Sequence, residues 1–384
     1  MPVGTDLNGN PELTFGQKIW QLNWGLILLI GLLGAFGCAM LYSAAGGAIE
    51  PWASRHAIRF AGGLMILLAF AVIDVRFWFR NAYLIYLGAL GLLVAVEFVG
   101  ITGMGAQRWI DLKVIQLQPS EIMKVAVILA LARYFHGVGE EEIGRPLLLL
   151  LPAALVLVPA ALVLRQPDLG TAGMLLMAAI ALFFLAGVRL WKFALGLGGA
   201  LAAIPLAWQF LPDYQRQRVL TFLNPENDPL GAGYHTLQSK IAFGSGGLFG
   251  KGFLEGTQSH LNFLPEKQTD FIFTMLAEEF GFFGGIGLLL LFLVMVTYGI
   301  IIASRCHSQF GRLLGMGVTA TFFFYVFFNI AMVMGLIPVV GLPLPLISYG
   351  GSAMLTLMFG FGLLIGVHVH RDVQIGRRPT AGTS

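Results

Sequence analysis

Residues 264–303 read LPEKQTDFIFTMLAEEFGFFGGIGLLLLFLVMVTYGIIIA, a polar stretch that runs directly into a long apolar one. The apolar part is longer than the roughly 20 residues that a helix needs to cross a bilayer. The polar part, Leu264–Phe271, closes the only long polar loop of the chain. The sequence therefore predicts an acidic side chain, Asp270, at the level of the lipid headgroups, a position suited to chemistry on a lipid-borne molecule.

The composition of the whole chain indicates an integral membrane protein. Of its 384 residues, 57% are hydrophobic and 11% are charged, against about 25% charged in soluble domains. The net charge of +3 is spread over many loops, so no continuous basic surface for nucleic acid is expected. We expect no disulfide between the two cysteines and no metal site among the seven histidines.

Apolar runs predict an all-α fold with ten membrane-spanning helices. The runs lie at 22–42, 57–74, 82–100, 119–136, 147–164, 170–187, 192–211, 271–303, 311–337 and 351–369. The first is longer and has a less basic flank than a cleaved signal peptide, so it is interpreted as a retained helix. This gives an N-terminal tail at 1–21, a membrane domain at 22–370 and a C-terminal tail at 371–384.

Lysine and arginine are concentrated in the short loops on one side of this arrangement. The positive-inside rule then places both termini in the cytoplasm and the long loop, 212–270, outside. Within that loop, Tyr234–Phe243 has helical apolar spacing, which is typical of a helix lying in the outer headgroup layer.

Asp270 is the first candidate for chemistry, with Glu266 and Lys267 beside it. A carboxylate at a water–lipid boundary can act as a general base when partial burial raises its pKa. An aspartate just before a helix is also a common N-cap, and spacing alone favours the cap.

Two further charged motifs have both a structural and a functional interpretation. Glu121 and Lys124 stand three residues apart at the start of a helix, and a structural ion pair is favoured over direct chemistry. Arg165 and Asp168 flank a tight outer turn. There Arg165 can clamp a phosphate, or the two can simply pair with each other.

Two glycine-containing segments complete the candidates. Gly244–Gly252 fails as a nucleotide-binding P-loop at Ser245 and Gly252, and it is interpreted as a flexible or tightly turned part of the outer loop. Pro343–Ser352 breaks helix geometry at membrane depth. Such backbone persists only where it is buried in protein or lines a cavity, so the segment either contacts a ligand or serves packing alone.

Five motifs in order closely resemble the SEDS family (shape, elongation, division and sporulation proteins). They are GAQRWI at 105–110, QPSEIMK at 118–124, RQPD at 165–168, LPEKQTDFIF at 264–273 and LISYGGS at 346–352. The PEKQ form and the residues leading into Pro345 resemble the elongation type more than the division type. The resemblance covers nearly the whole chain except its first 15 or so residues and the tail after Arg371.

The resemblance implies a peptidoglycan glycosyltransferase of the bacterial inner membrane that polymerises lipid II at the periplasmic face during elongation and rod-shape maintenance. It implies a class B penicillin-binding protein as partner, besides lipid II, the nascent glycan strand and membrane lipid. By motif position, Asp270 is the essential acid, and Trp109, Glu121, Lys124 and Asp168 match positions on which the family depends.

The expected reaction needs a base for a sugar hydroxyl and positive charge for a departing lipid diphosphate. Asp270 is the candidate base of a single inverting displacement. The candidate cations are Arg108, Lys113, Arg165, Arg216, Arg218, Lys240 and Lys267, and Ser352 is a further candidate for binding. No permanently bound cofactor is expected, and any Mg²⁺ or Mn²⁺ is expected to be held mostly by the diphosphate. The alternatives are a lipid II flippase and a non-catalytic scaffold that activates a penicillin-binding protein.

Overall fold

The structure is a computed structural model that describes residues 14–103, 106–111, 116–139, 141–210, 213–223, 232–261 and 266–376. Within these ranges the fold is predominantly helical. The helices are α1 Phe15–Trp20, α2 Trp24–Ala44, α3 Ala53–Ala71, α4 Val75–Val99, α5 Pro119–His136, α6 Pro146–Arg165, α7 Leu169–Leu185, α8 Leu190–Phe210, α9 Asp213–Leu223, α10 Ala232–Ser245, α11 Thr257–His260, α12 Ile272–Ser304, α13 Gln309–Val333 and α14 Gly351–Val369.

A helix occupies each of the ten predicted apolar segments, with ends that differ by a few residues from the prediction. Six of these helices are long and apolar enough to cross a membrane by length and composition: α2, α4, α6, α12, α13 and α14. The helices α7 and α8 contain shorter apolar stretches. The sequence thus predicted that these segments are helical, because apolarity along a segment is a local property, while the prediction of ten membrane spans stays a prediction.

Small residues allow α3 and α14 to approach each other closely. A Cβ placed on Gly362 would lie 2.8 Å from the carbonyl oxygen of Leu67, and one on Gly63 would lie 2.8 Å from Cγ of Met358. Because lipid tails are as apolar as leucine, helix association in membranes depends on such close van der Waals contact. The packing fixes the two helices whose first turns later form the walls of a cavity.

A small antiparallel sheet departs from the all-α expectation. It contains β1 Ile101–Gly103, β2 Ala106–Asp111 and β3 Gln116–Leu117, in the order β1-β2-β3. The chain between α4 and α5 is too short and too polar for another span, and pairing its strands satisfies the backbone. The sheet carries Arg108 and Trp109 to the end of the bundle at which α3, α5 and α14 begin, called here the outer end.

The long loop contains helices of its own, and α10 confirms the helix predicted around Tyr234–Phe243. The hydroxyls of Ser239 on α10 and Thr274 on α12 are hydrogen-bonded at 2.8 Å, and Ser239 also donates to the carbonyl oxygen of Val333 at 2.7 Å. The rings of Phe243 and Phe273 are in contact beside them. One face of α10 is therefore packed on the bundle.

The helix α12 is broken at Gly281, and the glycine-rich segment 244–252 fits against the break. Gly281 has φ 66° and ψ −162°, a region that only glycine adopts without strain. Gly250 has φ +81°, and a Cβ there would lie 2.1 Å from the carbonyl oxygen of Glu279. The segment is tightly turned and fixed, with the buried Glu278 carboxylate accepting hydrogen bonds from Lys251 at 2.7 Å and from the Gln258 amide at 2.9 Å.

Changing Gly281 to alanine is expected to lower the free energy of unfolding by at least 1–3 kcal/mol, roughly the cost of one strained backbone conformation. The added Cβ would also lie 2.3 Å from the amide nitrogen of Gly250. Thermal unfolding of the purified protein in detergent measures the effect. The matched control is Gly287→Ala in the same helix, where nothing lies within 4 Å of the added carbon. There we expect no loss, because alanine favours helix, and equal losses for both variants would contradict the account.

Candidate active site

The Asp270 side chain lies on a turn, 266–270, that leads into α12 at the outer end. The N-cap of α12 is Phe271 and makes no side-chain hydrogen bond, so the helix begins one residue later than an Asp270 N-cap requires. The expectation of an N-cap at Asp270 was wrong by this one residue. Asp270 is half-buried.

Asn329 of α13 ties the Asp270 turn to the chain that precedes α14. Its side-chain amide donates to the carbonyl oxygen of Asp270 at 2.9 Å and to that of Leu342 at 2.7 Å. A Cβ placed on Gly341 would lie 3.6 Å from Oδ2 of Asp270, and Gly341 itself is exposed. The carboxyl group therefore lies beside an open surface and is not enclosed in the core.

The irregular segment before α14 is hydrogen-bonded to the same turn at two successive residues, Ser348 and Tyr349. The amide of Tyr349 donates to the carbonyl oxygen of Gln268 at 2.8 Å. The Ser348 hydroxyl donates to the carbonyl oxygen of Thr269 at 2.5 Å. Leu344 and Ile347 are buried. This non-helical backbone is buried in protein, as the sequence predicted for Pro343–Ser352, and it also forms the wall of a cavity.

The cavity has a volume of about 960 Å³, within the range of small-molecule sites. It lies between the first turns of α3 and α14 and the sheet. The residues that line it are Arg55, Ile58, Arg59, Gly62, Ile66, Trp109, Asp111, Gln116, Tyr349, Gly350, Gly351, Ser352 and Leu355. Trp109 and Ser352 were predicted site residues. Asp270 does not line the cavity but lies on the turn bonded to Tyr349.

Glu121, Lys124 and Tyr325 form a closed network between α5 and α13. Lys124 Nζ lies 2.7 Å from Glu121 Oε1 and donates to the hydroxyl of Tyr325. That hydroxyl in turn donates to Glu121 Oε2 at 2.5 Å. The three residues are 3%, 2% and 1% exposed, respectively. The geometry agrees with the structural ion pair that the spacing favoured, extended by a tyrosine that the sequence analysis did not identify.

Arg108 holds the outer turn between α6 and α7. Its guanidinium donates to the carbonyl oxygens of Gln166 at 2.9 Å and Pro167 at 2.5 Å, and lies 4.0 Å from Oδ2 of Asp168. Asp168 is the N-cap of α7 and accepts from the amide and hydroxyl of Thr171, both at 3.0 Å. In the described part of the chain Asp168 therefore pairs with Arg108, and of the two interpretations of this motif the local Arg165–Asp168 pair was wrong.

Changing Arg108 to glutamine is expected to lower the free energy of unfolding by about 1.5–3 kcal/mol, the usual contribution of hydrogen bonds from a charged group. The matched control is Arg165→Gln. Arg165 is exposed, and surface substitutions usually stay within about 0.5 kcal/mol. Chemical unfolding of both variants in detergent compares them, and a larger loss for Arg165→Gln would contradict the assignment.

The remaining predicted cations are dispersed. Lys267, three residues before Asp270 in the chain, is buried, and burial lowers the pKa of its ammonium group. Lys240 is exposed on α10, and Arg216 donates to the carbonyl oxygen of Gln209 at 2.7 Å. Lys113 and the side chain of Arg218 lie outside the described residues. None of these described cations lines the cavity.

The cavity's own arginines, Arg55 and Arg59, were missed as site residues. Both had contributed only to the orientation of the protein in the membrane, by the positive-inside rule. The signal was present, because Arg55, Arg59, Gly62 and Ile66 have the spacing of one face of a helix. The sequence did not indicate that Tyr349–Leu355 form the opposite wall of the cavity, because these residues lie almost 300 positions further along the chain.

The family profile for FtsW, RodA and SpoVE, described as "Cell cycle protein", matches residues 21–373. The chain belongs to this family, the SEDS proteins. It is 45% identical over 373 residues to "Peptidoglycan glycosyltransferase MrdB" of Escherichia coli K12, covering 96% of this chain and 99% of that protein. It is 38% identical to "Probable peptidoglycan glycosyltransferase FtsW" of Trichlorobacter lovleyi, covering 89% and 92%.

Two solved structures share the fold. The crystal structure of the rod shape determining protein RodA of Thermus thermophilus matches with a TM-score of 0.70 and 31% identity, covering 92% of this chain and 98% of that one. A chain from "Structural coordination of polymerization and crosslinking by a peptidoglycan synthase complex" matches with a TM-score of 0.80 and 33% identity, covering 91% and 98%. The elongation-type resemblance is confirmed by these relatives.

Proposed function

We propose that this protein is a peptidoglycan glycosyltransferase that polymerises lipid II into glycan strands during cell elongation. The observation that carries the proposal is the half-buried Asp270, held on an ordered turn that shares a wall with a cavity of about 960 Å³. Its similarity over 96% of its length to a peptidoglycan glycosyltransferase supports the same activity.

Asp270 is proposed as the general base. An alcohol is a weak nucleophile until a base takes its proton. In the proposed step the carboxylate removes the proton from the 4-hydroxyl of an acceptor GlcNAc, and that oxygen attacks C1 of a donor MurNAc. The bond from C1 to the diphosphate oxygen breaks, and its electron pair leaves with the lipid diphosphate. One displacement inverts the anomeric carbon and needs no second carboxylate.

The other predicted site residues are proposed as supports. Glu121 and Lys124 hold α5 against α13, the helix whose Asn329 carries the Asp270 turn. Arg108 and Asp168 fix the outer turn beside the sheet. Trp109 and Ser352 contact substrate in the cavity. Arg165, Lys240 and Lys267 remain candidates for contacts with phosphate or glycan on the outer surface.

The proposed topology has ten membrane-spanning helices, the outer end and the loop 212–270 in the periplasm, and both termini in the cytoplasm. It is supported by lysines and arginines concentrated at the opposite end and by the exposed apolar residues of the bundle, such as Leu195, Leu201 and Leu206 of α8. The bacterial inner membrane follows from this topology and from the substrate.

The proposed partner is a class B penicillin-binding protein. Support comes from the similar chain in a peptidoglycan synthase complex that coordinates polymerization and crosslinking. A glycan strand that leaves one active site must be crosslinked by another, so a membrane-bound transpeptidase at the outer end is the expected companion.

Any Mg²⁺ or Mn²⁺ is proposed to arrive with the diphosphate of the substrate. In the described ranges, no group of three or more His, Cys, Asp or Glu side chains lies together to hold a metal ion. Asp111 is a carboxylate on the cavity wall, and phosphate oxygens are the ligands that Mg²⁺ otherwise prefers. No protein residue is assigned to hold an ion by itself.

Supplying lipid II to the purified protein, alone and with its penicillin-binding partner, tests the function. We expect glycan product both with and without the partner. We expect no product in either case when Asp270 is replaced. Movement of lipid II across vesicle membranes without product would establish the flippase instead. A result with neither glycan product nor movement of lipid II, with or without the partner, would support the scaffold.

A further inference from the structure

Asn329 is a polar residue in an apolar part of α13. It lies between Val326 and Val333, where the other residues are all apolar, and it is 0% exposed. Its side-chain oxygen, Oδ1, accepts no hydrogen bond from the residues that the structure describes, although buried polar atoms almost always have a partner. A leucine has the same branching and would avoid the cost of burying an unpaired oxygen. Packing within α13 therefore does not explain the amide, which leaves its two N–H groups as the explanation.

The two N–H groups of Asn329 hold two separate pieces of irregular backbone. The amide donates to the carbonyl oxygen of Asp270 at 2.9 Å and to that of Leu342 at 2.7 Å. The first carbonyl belongs to the residue that bears the candidate base, whereas Ser348 and Tyr349 bind the two residues before it. The connection between the backbone of Asp270 and the membrane bundle therefore includes the Asn329 amide.

The helix α13 is fixed on both sides of Asn329. One turn before it, the hydroxyl of Tyr325 donates to Glu121 of α5 at 2.5 Å. One turn after it, the carbonyl oxygen of Val333 accepts a hydrogen bond from Ser239 of α10 at 2.7 Å. Both contacts are buried. The Asn329 amide is therefore attached to a part of the bundle that neighbouring helices hold in place.

Both segments held by Asn329 contain a residue with left-handed backbone. Glu266, which begins the turn 266–270, has φ 51°, and Leu346 in the segment before α14 has φ 64°. Residues other than glycine are strained in this region and persist there only where the surrounding structure determines their conformation. Hydrogen bonds from a buried, fixed helix are such a determinant. Without them, the turn that carries Asp270 is free to relax toward less strained conformations.

We propose that Asn329 is a positioning residue for Asp270, and that its amide keeps the carboxyl group where it can take the proton of the acceptor hydroxyl. This inference rests on the proposed function. Proton transfer requires the two heavy atoms to be about 2.6–3.2 Å apart, and a misplacement of about 1 Å can cost about 10²-fold in rate. Because the Asn329 side chain is fully buried, its loss should slow the chemical step and leave substrate binding unchanged.

Asn329→Leu and Asn329→Asp test this role, since both keep the branching of the side chain and lack the amide. We expect each to lower kcat for polymerisation of lipid II, expressed per folded molecule, at least about tenfold, with KM unchanged within about twofold. The matched controls are Asn81→Leu and Asn81→Asp. The Asn81 amide donates to the carbonyl oxygen of Phe77 within α4, at the opposite end of the bundle, and these variants should keep the wild-type kcat and KM.

Hydrogen exchange of the purified full-length protein in nanodiscs, measured by mass spectrometry, reports on the turn without relying on activity. The amide of Tyr349 is bonded to the carbonyl oxygen of Gln268 in the turn at 2.8 Å. Its exchange should be at least about tenfold faster in the Asn329 variants, because local opening controls the exchange rate. The amide of Lys251, bonded to the carbonyl oxygen of Glu278 at 3.0 Å, is the internal control and should exchange at the wild-type rate.

The outcomes separate this inference from the proposed function. If wild type makes glycan and the Asn329 variants keep its kcat, the positioning role is wrong and the function stands. A rise in KM as large as the fall in kcat, or unchanged exchange at Tyr349, would also overturn the positioning role. If wild type makes no glycan while exchange at Tyr349 depends on Asn329, the function is wrong and the anchoring of the turn stands.

Discussion

Asp270→Asn is expected to lower the rate of glycan polymerisation by about 10²–10⁴-fold, the usual contribution of a positioned general base. The change removes the ability to accept a proton and keeps the size of the side chain. The turn should keep its form, because it is held by the backbone carbonyls of Gln268, Thr269 and Asp270, which bond to Tyr349, Ser348 and Asn329. Gel analysis of the glycan made from lipid II by the purified variant measures the effect.

The control for this prediction is Asp372→Asn, at an exposed aspartate near the C-terminus, which should polymerise at the wild-type rate. The Asp270 variant should melt at the wild-type temperature in detergent, because the turn is held through its backbone carbonyls. Polymerisation near the wild-type rate by a folded Asp270→Asn protein would exclude the base assignment. A lower melting temperature together with loss of activity would indicate a structural role instead.

Lys124→Met is expected to lower the free energy of unfolding by about 3–5 kcal/mol, the cost of leaving one charge of a buried pair without its partner. Glu121 would keep only the hydroxyl of Tyr325 from this network. The loss should be visible as a lower melting temperature in detergent and as reduced yield of folded protein.

The double variant Glu121→Gln with Lys124→Met discriminates between the causes. Removing both charges should recover much of the lost stability, because a neutral buried pair avoids the cost of an unpaired charge. Tyr325→Phe should cost less than Lys124→Met, since the ion pair between Glu121 and Lys124 at 2.7 Å would remain. A double variant no more stable than the single Lys124→Met would show that packing, and not charge, is responsible.

The outer end of the bundle contains two kinds of charged residue: those in a closed, buried network and those that face open space. The buried network between α5 and α13, at the level of Lys124, is closed and fully shielded. Asp270, Arg55 and Arg59 lie at surfaces open to a ligand. Helix α13 links the two, since Tyr325 and Asn329 stand one turn apart on it. Rigid support below an accessible acid is what precise placement of a sugar hydroxyl requires.

The amino-acid sequence by itself determined the helices, because apolarity over about 20 residues decides whether a segment can cross a bilayer. It also determined local features such as the proline that starts α5. The five motifs identified the family and its acid. Each of these depends on residues close together in the chain.

Only the tertiary structure decided which side chains meet. Lys124 and Tyr325 are 201 residues apart, and Arg108 binds a turn 58 residues away. Arg59 and Tyr349 come together only because α3 and α14 pack through glycines. The sequence carries no local signal for such contacts, since they arise from the shape with which whole helices fit. The acid could be found from its motif, whereas the charged cavity beside it required the assembled bundle.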